Sequence, residues 1–321
     1  MKLTINQAIE AIQNHQIVAL PTETVYGLFG LANSVKAVER VFVAKNRPRD
    51  NPLICHFHCF KQILQHADQI PDYLPTLVEI FCPGPITFEL HLNPQSNTIP
   101  SRAGLDKICC RIPNSHTTLE ILKKVGEPLF GPSANSSTKV SGVFAEMIEQ
   151  DLGVRIAGIV DGGKCDIGLE STIINCMNQN QISILRPGTI GKIELEQALA
   201  KDFGHVIIVE DATSPTTIPG AKYKHYSPTT NVKLLKNNDI NLPLIGLAED
   251  LDNCQNKVKI NLGSKQNLQV VAHNLFLNLY NLDKLELKNV YFLESSWEYL
   301  KSNQNSLSKA IVNRLSKVIQ G

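Results

Sequence analysis

Four apolar residues, Ile17 to Leu20, run straight into Pro21. Proline cannot donate to a β-ladder, so a strand entering this stretch has to stop there. The chain continues P-T-E-T-V-Y-G-L, which leaves Thr22, Glu23 and Thr24 at the strand end. Open α/β sheets present their ligand-binding groups at such ends. Gly27 permits a close approach of backbone that a side chain would block. About twenty residues further on, K-N-R-P-R-D-N-P-L-I-C-H brings Lys45, Arg47 and Arg49 within five positions. Hydroxyls at a strand end followed by clustered cations suit an anionic ligand, either a carboxylate or a phosphate.

The surrounding pattern predicts the scaffold. Thr4 can cap a helix from about Asn6 to His15, and Ser34 can cap V-K-A-V-E-R-V-F-V-A-K. That second helix, with Val35, Val38 and Phe42 on its apolar face, delivers Lys45 at its end and Arg47 just beyond. Strands are expected at Leu53–Phe57, Ile86–Leu92, Ile108–Ile112, Leu129–Phe130, Ile156–Val160, Thr172–Cys176 and Ile182–Leu185. Helices are expected over Asp72–Phe81, Thr117–Lys124, Ala145–Leu152 and Ile193–Lys201. These do not alternate strictly, so residues 1–205 predict an α/β domain built on a twisted mixed sheet.

Residues 206–230 have the composition of a linker, yet they carry K-Y-K-H-Y-S-P. Aromatic and basic groups together can stack on a base and neutralise phosphate, which predicts a segment closing over a site with Tyr226 on the nucleotide. Beyond it, strands at Val232–Leu235, Leu244–Leu247, Val258–Leu262 and Val290–Leu293 alternate with helices over Leu268–Tyr280 and Leu307–Ile319. Residues 231–321 therefore predict a smaller, Rossmann-like parallel α/β domain.

Composition narrows the function classes. The formal net charge of +1 supplies no global field that would draw the chain to nucleic acid or membrane. No apolar run reaches the ~18 residues of a membrane span. The N-terminal residues mix polar and apolar positions at helical spacing, unlike a secretory leader, so the expected address is cytoplasmic. Eight cysteines in 321 residues are too sparse for a disulfide framework. C-H-F-H-C (55–59) invites a zinc reading, but strand alternation puts His56 and His58 on one face and Cys55, Phe57 and Cys59 on the other. No metal site is expected. Neither a G-x-x-x-x-G-K-[ST] loop nor a G-x-G-x-x-G turn occurs. A nucleotide would have to be held by side chains converging from several loops.

The ordered set P-T-E-T-V-Y-G-L, K-N-R-P, N-P-L-I-C-H, G-P-S-A-N (131–135), E-S-T-I-I (170–174), L-R-P-G (185–188) and P-G-A-K-Y-K-H-Y-S-P (219–228) resembles the YrdC-type family in its two-domain form. The resemblance spans nearly the whole chain. It implies an enzyme that joins L-threonine, bicarbonate and ATP into threonylcarbamoyl-AMP and pyrophosphate. The family's product feeds the tRNA-threonylcarbamoyl transferase machinery. Mg²⁺ would arrive with ATP rather than sit in a dedicated protein site.

The same resemblance implies roles for particular residues. Thr24, His56, Arg111, Gly131 and Ser171 match contacts to the amino acid. Lys45, Arg47, Asn51, Ser133, Asn135, Ser141, Arg186 and Tyr226 match contacts to ATP, with Lys45 and Arg47 as the cations that act in catalysis. Lys107 and Ile218 depart from the family pattern, which has threonine and serine there. A weak tRNA contact is expected of the enzyme; a different reading is an RNA-binding module of the same fold without synthase activity. A third is carbamoyl transfer to another acceptor, but the chain lacks the zinc fingers and second catalytic domain of such relatives.

Overall fold

Thr4 accepts from the Gln7 amide and the Gln7 side chain reaches back to the Thr4 amide. This capping box starts the helix Ile5–Gln13. Ser34 likewise accepts from the Ala37 amide and starts Val35–Lys45, and Asn46 ends that helix in the left-handed conformation. The computed structural model describes residues 1–48, 52–98, 101, 104–210, 226–235 and 241–320.

A mixed sheet of eleven strands carries the first part of the chain. Its order is Ile207–Glu210, Gln181–Arg186, Thr172–Asn178, Ile86–Leu92, Lys107–Arg111, Cys55–His56, Leu129–Phe130, Gly27–Leu31, Val18–Leu20 and Gly158–Ile159. The short strand Ala67–Asp68 pairs with Ile86–Leu92. Val18–Leu20 stops at the residue before Pro21 and pairs antiparallel with Gly27–Leu31, while Cys55–His56 runs parallel to Lys107–Arg111. A second sheet of five strands, all pairs parallel, follows in the order Lys259–Asn261, Leu244–Gly246, Asn289–Leu293, Asn231–Leu235 and Ile319–Gln320. The mixed first sheet and the small parallel second one match the sequence expectation.

Several elements differ from it. Gly27–Leu31, G-L-F-G-L, forms a buried strand that its two glycines concealed. A Cβ on Gly27 would lie 2.5 Å from the Phe29 ring, and one on Gly30 would lie 2.6 Å from the Phe130 ring. The glycines make room for those two rings. Ile207–Glu210, expected in the linker, instead pairs parallel with Gln181–Arg186 and extends the first sheet. Most of the expected linker, residues 211–225, lies outside the described residues, as does Ile218. The closing helix ends at Leu315, and Ile319–Gln320 turns into the second sheet.

The two parts share one core. A single buried cluster runs from Val25, Tyr26, Val143 and Met147 into Leu275, Phe276 and Leu279 on the helix Leu268–Lys284. Lys164 Nζ donates to Asn274 Oδ1 at 2.9 Å across the same junction. All eight cysteines are free thiols. Among the described residues no helix is long and apolar enough to cross a membrane. Lys107, one of the departures from the family pattern, pairs with the buried Glu89 at 2.6 Å.

The R-P-G turn is packed without slack. A Cβ on Gly188 would fall 2.4 Å from the Thr172 amide nitrogen and 2.5 Å from Thr172 Oγ1, which donates to the Ile190 carbonyl. Gly188→Ala should therefore cost about 1–3 kcal/mol by forcing that turn off the sheet. A urea midpoint equal to that of the wild type would show that the turn yields freely.

Candidate active site

The P-T-E-T turn is fixed from within and from behind. Thr22 Oγ1 is 2.8 Å from Thr24 Oγ1, and Thr118 Oγ1 donates to the Pro21 carbonyl at 2.6 Å. The amides of Ile167 and Gly168 donate to the carbonyls of Glu23 and Thr24. G-P-S-A-N runs alongside: the Leu28 amide donates to the Pro132 carbonyl, the Ala134 amide to the Tyr26 carbonyl and the Gly131 amide to the Ile54 carbonyl. Motifs more than a hundred residues apart thus meet at one end of the sheet.

They surround a cavity. His56, Arg111, Gly131 and Ser171, expected around an amino acid, all line it. Arg47, Ser133, Asn135, Ser141, Arg186 and Tyr226, expected around ATP, line the same cavity. Thr24 and Lys45 lie behind its surface, while Thr22 forms part of the lining. Asn51 lies outside the described residues.

Strand register explains one side of the cavity. His56 and Arg111 face one another across the parallel pair Cys55–His56 and Lys107–Arg111. Arg111 Nη2 donates to Glu23 Oε1 at 2.7 Å and to Thr24 Oγ1 at 2.9 Å. Arg111 Nε and His56 Nδ1 are buried and find no hydrogen-bond partner among the described residues. Gly131 sits against this pair: a Cβ there would lie 2.9 Å from His56 Nδ1 and 2.7 Å from the Phe29 ring. Ser171 Oγ is 2.8 Å from Thr87 Oγ1, and Arg186 donates to both the carbonyl and the hydroxyl of Ser171.

Burial, reinforced by the Arg111 guanidinium, holds His56 well below the usual histidine range, so it is neutral at neutral pH. The unfolded chain protonates this histidine as pH falls through 6.5, while the folded chain resists. The unfolded state then binds more protons, so His56 destabilises the fold as pH drops below that value. Substituting His56→Gln should flatten the acid side of the stability profile. A slope unchanged from the wild type would contradict this assignment.

Lys45 reaches its place from the last turn of Val35–Lys45. Its ammonium is buried and donates to the carbonyls of Ser133 and, at 2.5 Å, Asn135. Burial, with Arg47 next, pushes its pKa well below the usual lysine range. Lys45 thus holds the S-A-N loop instead of lining the cavity. Arg47 does line it and donates to the Pro52 carbonyl at 3.1 Å.

The far side draws on the second part of the chain. Tyr226 is buried, takes a positive φ of 63° and stacks on Phe276 at 5.1 Å. Burial, then the neighbouring Glu170, pushes its phenol up to about 12. Lys317 lies 5.6 Å from the Tyr226 ring and is pushed down to about 8 by burial and then by Arg314 and Arg186. Glu170 lines the cavity and accepts from Ser141 Oγ at 2.6 Å. Burial alone would raise its carboxyl, but Arg314, Arg186 and Ser141 together hold it below the usual range.

Sequence reasoning missed Thr87, Glu170 and Arg314. Glu170 stood inside a quoted motif beside Ser171. Arg314 had a signal too, as an arginine on the face that Leu307, Ala310, Ile311 and Leu315 bury.

The Sua5/YciO/YrdC family, described as telomere recombination, matches residues 10–188. The C-terminal domain of threonylcarbamoyl-AMP synthase matches residues 190–318. Threonylcarbamoyl-AMP synthase of Bacillus subtilis is 39% identical over 228 residues, covering 70% of this chain and 64% of that protein. The Pyrococcus abyssi protein of the same name is 37% identical over 223 residues, covering 69% and 64%. The chain thus spans a little under two thirds of the length of the curated relatives it matches. The crystal structure of P. abyssi Sua5 complexed with L-threonine superposes with a TM-score of 0.83 at 29% identity, over 98% of this chain and 93% of that one. The chain belongs to the Sua5/YciO/YrdC family.

Proposed function

We propose that this chain is a threonylcarbamoyl-AMP synthase, forming threonylcarbamoyl-AMP and pyrophosphate from L-threonine, bicarbonate and ATP. The observation that carries the reading is that one cavity gathers residues of two chemistries. Arg111, His56 and Ser171 offer a guanidinium, a neutral imidazole and a hydroxyl, a set suited to a hydroxy-amino acid. Arg47 and Arg186 line the same cavity, and Arg314 and Lys317, which do not, lie close enough to Glu170 to act on its charge. That local excess of positive charge calls for an anion such as a phosphate.

In this reading bicarbonate and the threonine amine condense to a carbamate with loss of water. A carbamate oxygen then attacks the α-phosphorus of ATP, and the bond to pyrophosphate breaks. Arg111 holds the threonine carboxylate, and Arg47, Ser133 and Arg186 hold the phosphates. Positioning and electrostatic stabilisation carry such a transfer without a strong protein nucleophile. Tyr226, kept in an uncommon conformation by its packing, closes one side of the cavity and excludes water from a labile acyl adenylate.

Among the described residues no three His, Cys, Asp or Glu side chains converge as a metal cage. Glu170, which lines the cavity, and Glu23, in the turn beside it, are each engaged by an arginine. This donor set fits a magnesium ion that enters on the triphosphate. Such an ion would supply charge neutralisation to the phosphates. The product would pass to the machinery that modifies tRNA.

Arg47→Lys tests the phosphate side. The substitution keeps the charge but loses the planar fork, so ATP affinity should fall about tenfold with threonine affinity unchanged. Calorimetric titration of each ligand measures both. Unchanged ATP affinity in that variant would remove Arg47 from the nucleotide site.

A further inference from the structure

Arg314 stands on the helix Ser306–Leu315, yet it is the largest side chain to be fully buried among the described residues. Its Nε donates to Glu170 Oε2 at 3.1 Å and its Nη2 to the Glu170 carbonyl at 3.2 Å. Its Nη1 donates to the Pro187 carbonyl and to Asn313 Oδ1. The other oxygen of Glu170, Oε1, accepts from Ser141 Oγ. A hydroxyl has one proton. With that proton on Glu170, Ser141 offers the cavity only its lone pairs.

We propose that Arg314 is a positioning residue for the nucleotide side of the cavity, acting through Glu170 on the Ser141 hydroxyl. Through it, the second part of the chain helps to shape a site lined mainly by the first. The inference rests on reading the cavity as an ATP site. A buried carboxylate is retained as an anion only beside its cation. Once neutralised, a carboxyl can itself donate, and Ser141 is then free to turn its proton into the cavity. The ligand would meet a donor where the folded protein presents an acceptor. Leucine or methionine would serve this face of the helix better if packing were its only task. The guanidinium is kept at a junction that joins Glu170 to the backbone of the R-P-G turn.

The test uses the full chain and titrates ATP and threonine separately. Arg314→Met and Glu170→Gln should each weaken ATP about tenfold and threonine less than about twofold. Arg314→Met should add almost nothing on top of Ser141→Ala, because residues acting through one contact are not additive. A folded Arg314→Met that binds ATP like the wild type overturns the inference. So does an equal loss for both ligands, or full additivity with Ser141→Ala. If Arg314→Met does not fold, the isosteric Glu170→Gln carries the same test from the cavity side. The wild-type titration keeps the two readings apart. No ATP binding there overturns both, whereas wild-type binding with an unaffected Arg314→Met overturns only this one.

Discussion

Arg111→Ala should raise the dissociation constant for L-threonine by about 30- to 700-fold, the equivalent of roughly 2–4 kcal/mol for a truncated buried charge pair. ATP affinity should change far less. Two losses add in the same direction. The substrate carboxylate loses its guanidinium, and Glu23, whose Oε1 now sits 2.7 Å from Arg111, is left buried without its cation. The second loss also weakens the P-T-E-T turn, because Arg111 bonds Thr24 as well. Separate titrations of the two ligands against folded variant distinguish this from general damage. Equal losses for threonine and ATP would place Arg111 in the scaffold.

Lys45→Met should cost about 2–4 kcal/mol of stability, because it leaves two buried carbonyls, those of Ser133 and Asn135, without their donor. Methionine fills much of the space and carries no charge, so the packing change is small. The S-A-N loop would then lose its anchor from the helix Val35–Lys45, and ATP affinity should drop about tenfold or more with the displaced Ser133. Threonine binding should survive in whatever fraction stays folded. A urea midpoint and an ATP affinity both equal to those of the wild type would show that the loop holds itself.

Much of the scaffold was legible because its signals are local. Thr4 and Ser34 sit where their hydroxyls meet open amides, and Pro21 ends a strand because it has no N–H to give. Gly27–Leu31 was not legible, since its strand depends on two aromatic rings that occupy the room its glycines leave. Ile207–Glu210 reads as linker, and it is the parallel partner Gln181–Arg186 that makes it a strand.

The site divides in the same way. The family resemblance supplied ten residues that line one cavity. Lys45 was placed near it, but its direction was not, because whether a cation meets ligand or loop carbonyls depends on long-range packing. Arg314 lies 144 residues from Glu170, and nothing local in either segment announces that pair.

Pyrophosphate release by the purified full chain tests the central claim most directly. Reactions should contain ATP with magnesium, and threonine and bicarbonate should be supplied singly and together in degassed buffer. The account predicts pyrophosphate only when both are present, with carbon from bicarbonate and the threonine backbone recovered in one adenylate. Pyrophosphate released from ATP without either co-substrate, or none released from the complete mixture by protein that binds ATP and threonine, would contradict it.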